Sequence, residues 1–368
     1  MITEVGPSDG VAALLHSLQK ALDGGPALAP VRGDPGATST DGVALLLPTS
    51  GSTGTPRIVE LGAEALRQSA EATHERLGGP GRWLLALPLT HVAGWQVMVR
   101  SLDSGLDPVS LNDFEHFAQA AEATEGPRRY TSLVPTQLVR LLGDGAATEA
   151  LATFDAVLVG GAAAPVSLLE RARACGVRVV TTYGMTETSG GCVYAGRPLR
   201  DVEARVDQDG RVLLSGPVLA QGYADGDQSR FFRQGGRRWF ATSDAGHLTD
   251  DGTLEVRGRL DDVIVTGGEK VSPSTVESAL AGRAGVVDCV VVGVPDSYWG
   301  HAVTAVVVAD AGPTPTTDDV RAAVRDALPA SALPRHVVLV DALPLIGPGK
   351  PDRAAAAALA RQAVNGDG

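Results

Sequence analysis

The chain holds only three cysteines in 368 residues, Cys175, Cys192 and Cys289, and no C-x-x-C pair. An odd number at wide spacing supports neither a disulfide framework nor a zinc site and fits a reducing compartment. Apolar runs are short: Val43 to Leu47 and Cys289 to Val292 have the length of buried strands, far below the roughly 20 residues that span a bilayer. The opening MITEVGPSDG carries acidic residues and no basic one, so it lacks the cationic start and apolar core of a secretory signal. Together these absences predict a cytoplasmic protein with no membrane insertion. Basic residues are outnumbered, 31 to 43, for a net charge of −12, which opposes attraction to nucleic acid or to an anionic lipid surface. The 45 glycines and 23 prolines follow no period, so they mark turns rather than a low-complexity chain.

What is present is an ordinary globular composition, 44% hydrophobic and 20% charged, long enough for about two or three domains. Residues 11 to 22 repeat apolar side chains at helical spacing, and the Gly/Pro-rich stretch from Gly24 to Gly42 reads as a loop, so the ordered body is expected to start near Val43. From there β-type runs alternate with helical patterns: VALLL then 63–77, WLLAL then 93–102, YTSLV then 136–142, AVLVG then 166–175, and VRVVTTYG. Such alternation predicts βαβ units and an α/β fold with mainly parallel, layered sheets. Beyond Tyr194 the texture changes to short strands broken by Asp-Gly turns, which predicts an antiparallel subdomain over 195–257. A boundary at 258–261 is followed by a small α+β unit, 262–368, ending in an Ala-rich helix over 354–364.

The strongest local signal is the stretch from Leu45 to Arg57, a strand entering a loop of hydroxyls and glycines: Thr49, Ser50, Gly51, Ser52, Thr53 and Gly54. Glycines let backbone N–H groups approach an anion closely, and the hydroxyls add donors without bulk. On composition alone, a plain Ser/Gly turn is the simpler account. It is not a Walker A loop, because no lysine follows a glycine at the required spacing. Downstream come Leu87-Pro-Leu-Thr-His-Val-Ala-Gly94, Val159-Gly-Gly-Ala-Ala163, Thr182-Tyr-Gly-Met-Thr-Glu-Thr188, Phe240-Ala-Thr-Ser-Asp-Ala-Gly246, Gly258-Arg-Leu-Asp-Asp262, Ile264-Val-Thr-Gly-Gly-Glu-Lys-Val-Ser-Pro273 and Leu343 to Arg353. Taken singly, most of these are turns.

In this order, from residue 43 to 353, the series resembles the motifs of the adenylate-forming superfamily of acyl- and aryl-CoA ligases, luciferases and peptide-synthetase adenylation domains. The resemblance implies a large N-terminal adenylation domain, 1–257, a hinge at Asp261, and a small mobile C-terminal domain. It implies ATP, magnesium and coenzyme A as the small molecules, with a carboxylic acid as substrate. Residues 49–54 and Arg57, which replaces the usual Lys, would cradle phosphate. Gly160, Gly161 and Ala162 would pass close to adenine. Tyr183 and Gly184 would flank it, Thr186 would meet phosphoryl or carboxylate oxygens, and Glu187 would supply a hard oxygen to magnesium. Asp244 would accept the ribose hydroxyls, although Ser243 stands where the family has Gly, and Arg259 would reach the ribose or phosphate. His91 would border the acyl site, Gly267 and Gly268 the pantetheine tunnel, and Lys350 would be the catalytic lysine.

Only 48 residues precede Thr49, fewer than in most of the superfamily. This compact form resembles the short actinobacterial group of o-succinylbenzoate–CoA ligases, with a homodimer as one way to compensate for the missing surface. Other readings are a different aryl- or acyl-CoA ligase, a stand-alone adenylation enzyme that loads a carrier-protein thiol, and a noncatalytic nucleotide-binding protein. Retention of Glu187, Asp244, Arg259 and Lys350 argues against the last.

Overall fold

The computed structural model describes residues 2–6, 9–30, 41–49, 57–310, 312–345 and 351–366. Its larger part is built on two mixed sheets. The seven-stranded sheet runs, edge to edge, Arg197–Pro198, Gly190–Tyr194, Val179–Met185, Ala156–Val159, Arg129–Leu133, Arg82–Leu85 and Val109–Ser110. The last five of these strands are parallel, in register as Thr131 with Val157 and Val159 with Thr181. Helices cross between them, so both faces are covered and strands such as Ala156–Val159 are buried throughout.

The second sheet runs Ile2–Glu4, Ala27–Ala29, Val43–Pro48, Ile58–Gly62 and Gly222–Tyr223. It corrects the expectation that order begins near Val43. Ala27–Ala29 is a fully buried strand inside the stretch read as loop, and Ile2–Glu4 pairs beside it in parallel. A three-residue strand is too short to show alternation, so sequence periodicity misses it. Helix Val11–Leu22, by contrast, has the expected bounds, with Leu14, Leu15, Leu18, Ala21 and Leu22 on its buried face. Helix Ala63–Leu77 also has the expected bounds and stops where Gly78 adopts a left-handed conformation, φ 91°.

The Asp-Gly region forms an antiparallel sheet in the order Glu203–Val206, Arg211–Ser215, Arg237–Leu248 and Phe231–Gln234, with Leu254–Arg259 also on Arg237–Leu248. Beyond it, Val286–Asp296, Gly300–Ala309 and His336–Leu339 make a three-stranded sheet packed by helices Pro273–Leu280, Thr317–Val324 and Arg353–Gly366. Its core is mostly valine, as suits long, tightly paired strands. No helix among the described residues is long and apolar enough to cross a membrane.

Candidate active site

The hydroxyl-rich stretch leaves strand Val43–Pro48 and returns along Ile58–Gly62, antiparallel to it. Thr49 N–H donates to the Arg57 carbonyl at 2.7 Å, which closes the base of this excursion. Ser50, Gly51, Ser52, Thr53 and Gly54 lie outside the described residues. Arg57 lies inside them: its guanidinium is 3.0 Å from Asp225 and 2.9 Å from Asp227, and it is stacked 3.6 Å from the centroid of the Tyr223 ring.

Strand Val179–Met185 delivers the next group. A side chain at Gly184 would collide with the Gly190 carbonyl, and one at Gly160 with Thr182, so both glycines are required by close approach. Gly160, Gly161 and Ala162 follow the buried strand Ala156–Val159, with Gly161 at φ 81°. The Tyr183 hydroxyl donates to Asp244 Oδ2 at 2.7 Å. Asp244 is also held by its own N–H on Thr242 Oγ1, and its Oδ1 is 3.9 Å from Arg259. Arg259 in turn bonds Asp261 at 3.0 Å. Burial raises the Asp244 pKa, which Tyr183 and Arg259 partly offset.

Thr186–Thr188 form a single helical turn at the end of the strand. Glu187 accepts the Tyr223 hydroxyl on Oε1 at 2.8 Å. Burial raises its pKa, against its own backbone, Tyr223, Arg230 and Arg57. Ser243, the departure from the usual glycine, accepts Arg230 at 2.6 Å, so the substitution brings a cation to the edge of this group.

His91 caps helix Val92–Ser104 and is exposed. That helix also carries two side chains that motif reading passes over. Gln96 and Arg100 are 1% and 3% exposed, and their four-residue spacing puts them on one helix face. Both polar atoms of the Gln96 amide, and Arg100 Nε, have no hydrogen-bond partner among the described residues. Arg100 is held by the Tyr194 hydroxyl at 3.2 Å and lies 4.8 Å from the Trp83 ring, with no carboxylate in salt-bridge range among the described residues. Burial pulls its pKa below the ordinary arginine value. Gln96 backs directly on Gly190, one residue past the Thr186–Ser189 turn. A polar pair four apart, within the apolar run from Val92 to Val99 and just beyond it, was the available sequence signal.

In the C-terminal part, Gly267 and Gly268, at φ 56° and 85°, form a tight turn between strands Ile264–Thr266 and Glu269–Val271. A Cβ at Gly267 would lie 2.8 Å from the Trp299 ring. Gly258, at φ 128°, admits no side chain against Ser274, and Ser272 and Ser274 both donate to the Arg257 carbonyl. Lys350 lies outside the described residues; Leu345 and Pro351, which flank it, are paired. Arg353 is bound by Asp262 at 3.1 Å and Glu277 at 2.7 Å.

Residues 8–224 match the family model described as AMP-binding enzyme, and 275–350 match the AMP-binding enzyme C-terminal domain. A probable 2-succinylbenzoate–CoA ligase of Mycobacterium tuberculosis is 46% identical, over 95% of this chain and 96% of that protein. The o-succinylbenzoate CoA synthetase of Bacillus subtilis, in complex with its acyl-adenylate intermediate OSB-AMP, superposes with a TM-score of 0.74 at 28% identity, over 86% of this chain and 69% of that one. The same enzyme in complex with ATP and magnesium ion gives 0.74 at 28% identity, over 86% and 70%.

Proposed function

The chain belongs to the AMP-binding enzyme family, and from that premise we propose that it is a 2-succinylbenzoate–CoA ligase that works through an acyl-adenylate. The observation that carries the choice of acid is the buried Arg100 guanidinium with no carboxylate partner among the described residues. A buried cation left without an anion is strongly unfavourable, so the site is made for a negatively charged ligand. A monocarboxylate would place its only charge at the reacting phosphorus. A dicarboxylate has a second carboxylate to offer Arg100 and Gln96. At 1.5 Å per residue Gln96 lies roughly 7 Å and Arg100 roughly 13 Å along the helix from His91, one side chain nearer the reaction and one farther.

At the nucleotide end, the Gly160–Ala162 turn and Tyr183 border adenine, and Asp244 keeps Oδ1 for a ribose hydroxyl because Oδ2 is taken by Tyr183. Magnesium fits Glu187: one oxygen is engaged by Tyr223, which leaves one hard ligand, and magnesium on a triphosphate ordinarily takes one or two carboxylates. When bound, it would neutralise charge on the phosphates. The substrate carboxylate attacks the α-phosphorus, the bond to pyrophosphate breaks, and acyl-AMP forms. Thr49, Arg57 and Thr186 hold and orient the phosphates through this displacement. Lys350 supplies a further cation. In the second half-reaction the CoA thiol loses its proton and attacks the acyl carbonyl, and AMP leaves.

On this reading, residues 1–257 are the adenylation domain, 258–261 the hinge with Asp261 as pivot, and 262–368 a domain that exchanges Lys350 for the Gly267–Gly268 turn between the two steps. The test is mass spectrometry of reactions with Mg-ATP and a panel of acids, with and without CoA. Acyl-AMP from 2-succinylbenzoate without CoA, and the thioester with it, are expected. Activity confined to another acid overturns the substrate, and no adenylate from any acid overturns the reaction.

A further inference from the structure

Tyr223 touches two parts of the site at once. It is 4% exposed and belongs to the two-residue strand Gly222–Tyr223, paired with Ile58–Gly62 immediately after Arg57. Its segment is fastened at both ends by backbone: Ala220 N–H donates to the Glu187 carbonyl at 2.8 Å, and Ala224 N–H to the Ile58 carbonyl at 2.9 Å. The side chain repeats the connection. Its hydroxyl donates to Glu187 Oε1 at 2.8 Å, while the Arg57 guanidinium lies over its ring at 3.6 Å. Phe231 meets the ring edge-on at 5.8 Å, and Asp225 and Asp227 hold Arg57 from the outside.

We propose that Tyr223 is a positioning residue for the adenylation step: it fixes the Glu187 carboxylate for the nucleotide-bound cation and ties it to Arg57 at the end of the phosphate loop. This deepens the nucleotide-binding reading above and rests on it. A carboxylate on a short turn has several rotamers, and a single directed hydroxyl bond selects one while leaving Oε2 available. The ring adds a second function, since the Arg57 cation is stacked on it.

Tyr223→Phe removes the hydroxyl and keeps the ring. Calorimetric titration of ATP without acid, at a series of magnesium concentrations and in EDTA, separates the metal-dependent part of binding from the rest. The expected result is a loss of about tenfold in the magnesium enhancement, the size of one hydrogen bond to a charged group. Binding in EDTA and the KM for the acid stay unchanged. In a Glu187→Gln background the same substitution should add no further loss, whereas a general packing defect would add to it. Melting temperatures of both variants guard against unfolding, and Arg57→Met, which keeps the hydroxyl bond, should weaken ATP binding equally with and without magnesium. Wild-type magnesium dependence in Tyr223→Phe, or additive losses in the double variant, overturns the proposal alone. A wild-type protein with no magnesium enhancement would overturn the nucleotide reading and this proposal together.

Discussion

Two sets of polar side chains gather at the Thr186–Ser189 turn, one partly buried and one buried, and they differ in how far they are satisfied. On one side Glu187 and Asp244 each accept a tyrosine hydroxyl, and cations stand beside them. On the other, Gln96 has neither amide atom paired among the described residues, and Arg100 has a hydroxyl and a ring where a buried guanidinium calls for an anion. If the paired carboxylates serve a nucleotide, as proposed, their fixed geometry means that binding reorganises little. Unpaired groups in the same protein, at about 1–3 kcal/mol each, make the surroundings of Gln96 and Arg100 a local weakness that an anionic ligand would remove. On the proposed reading the nucleotide end is pre-built, and the acid end is completed by its substrate.

The largest effect should come from the pre-built side. Glu187→Gln is expected to slow adenylate formation roughly a thousandfold, the scale of losing one preorganised electrostatic contact, read as pyrophosphate release at saturating acid. Next, Arg100→Met should lower kcat/KM for the dicarboxylate about a hundredfold, mostly through KM, as for one half of a buried charge pair. ATP affinity, measured by calorimetry, should not move, and an equal loss with a monocarboxylate would break the comparison. Asp244→Asn should weaken ATP binding about tenfold, because Tyr183 keeps its partner while the ribose loses a charged acceptor.

The smallest effects concern stability. Burial raises the Glu187 pKa, so the folded state holds that proton more tightly than the unfolded chain. Its contribution to stability therefore falls as pH rises from the ordinary carboxylate value through the folded value. Glu187→Gln should accordingly melt above wild type at neutral pH, and the gap should close as pH drops below the ordinary carboxylate range; a gap that widens instead would refute the sign. Removal of the unpaired cation in Arg100→Met should likewise not lower the melting temperature of the ligand-free protein.

Much of this arrangement was legible in the sequence, for identifiable reasons. Long amphipathic helices such as Val11–Leu22 and Ala63–Leu77 announce their bounds through periodicity and a terminal glycine. Motif glycines such as Gly160 and Gly184 are fixed by collisions with Thr182 and the Gly190 carbonyl that any side chain would cause. Short strands were missed because Ile2–Glu4 and Ala27–Ala29, three residues each, owe their order to pairing with each other and with Val43–Pro48 rather than to a local pattern. Tyr223 carries no local signal: its role appears only when residues 57, 187 and 223 meet. Gln96 and Arg100 did carry one, a polar pair at helical spacing, which reads as ordinary amphipathicity until the fold shows that face to be buried.

The most direct test compares 2-succinylbenzoate with its methyl ester at the spectator carboxylate, for wild type and Arg100→Met, by following acyl-AMP with mass spectrometry. The account predicts rapid adenylation of the free diacid by wild type, and slow adenylation of the ester by both proteins to a similar extent. Equal rates on diacid and ester in wild type would contradict the claim that Arg100 completes the acid site.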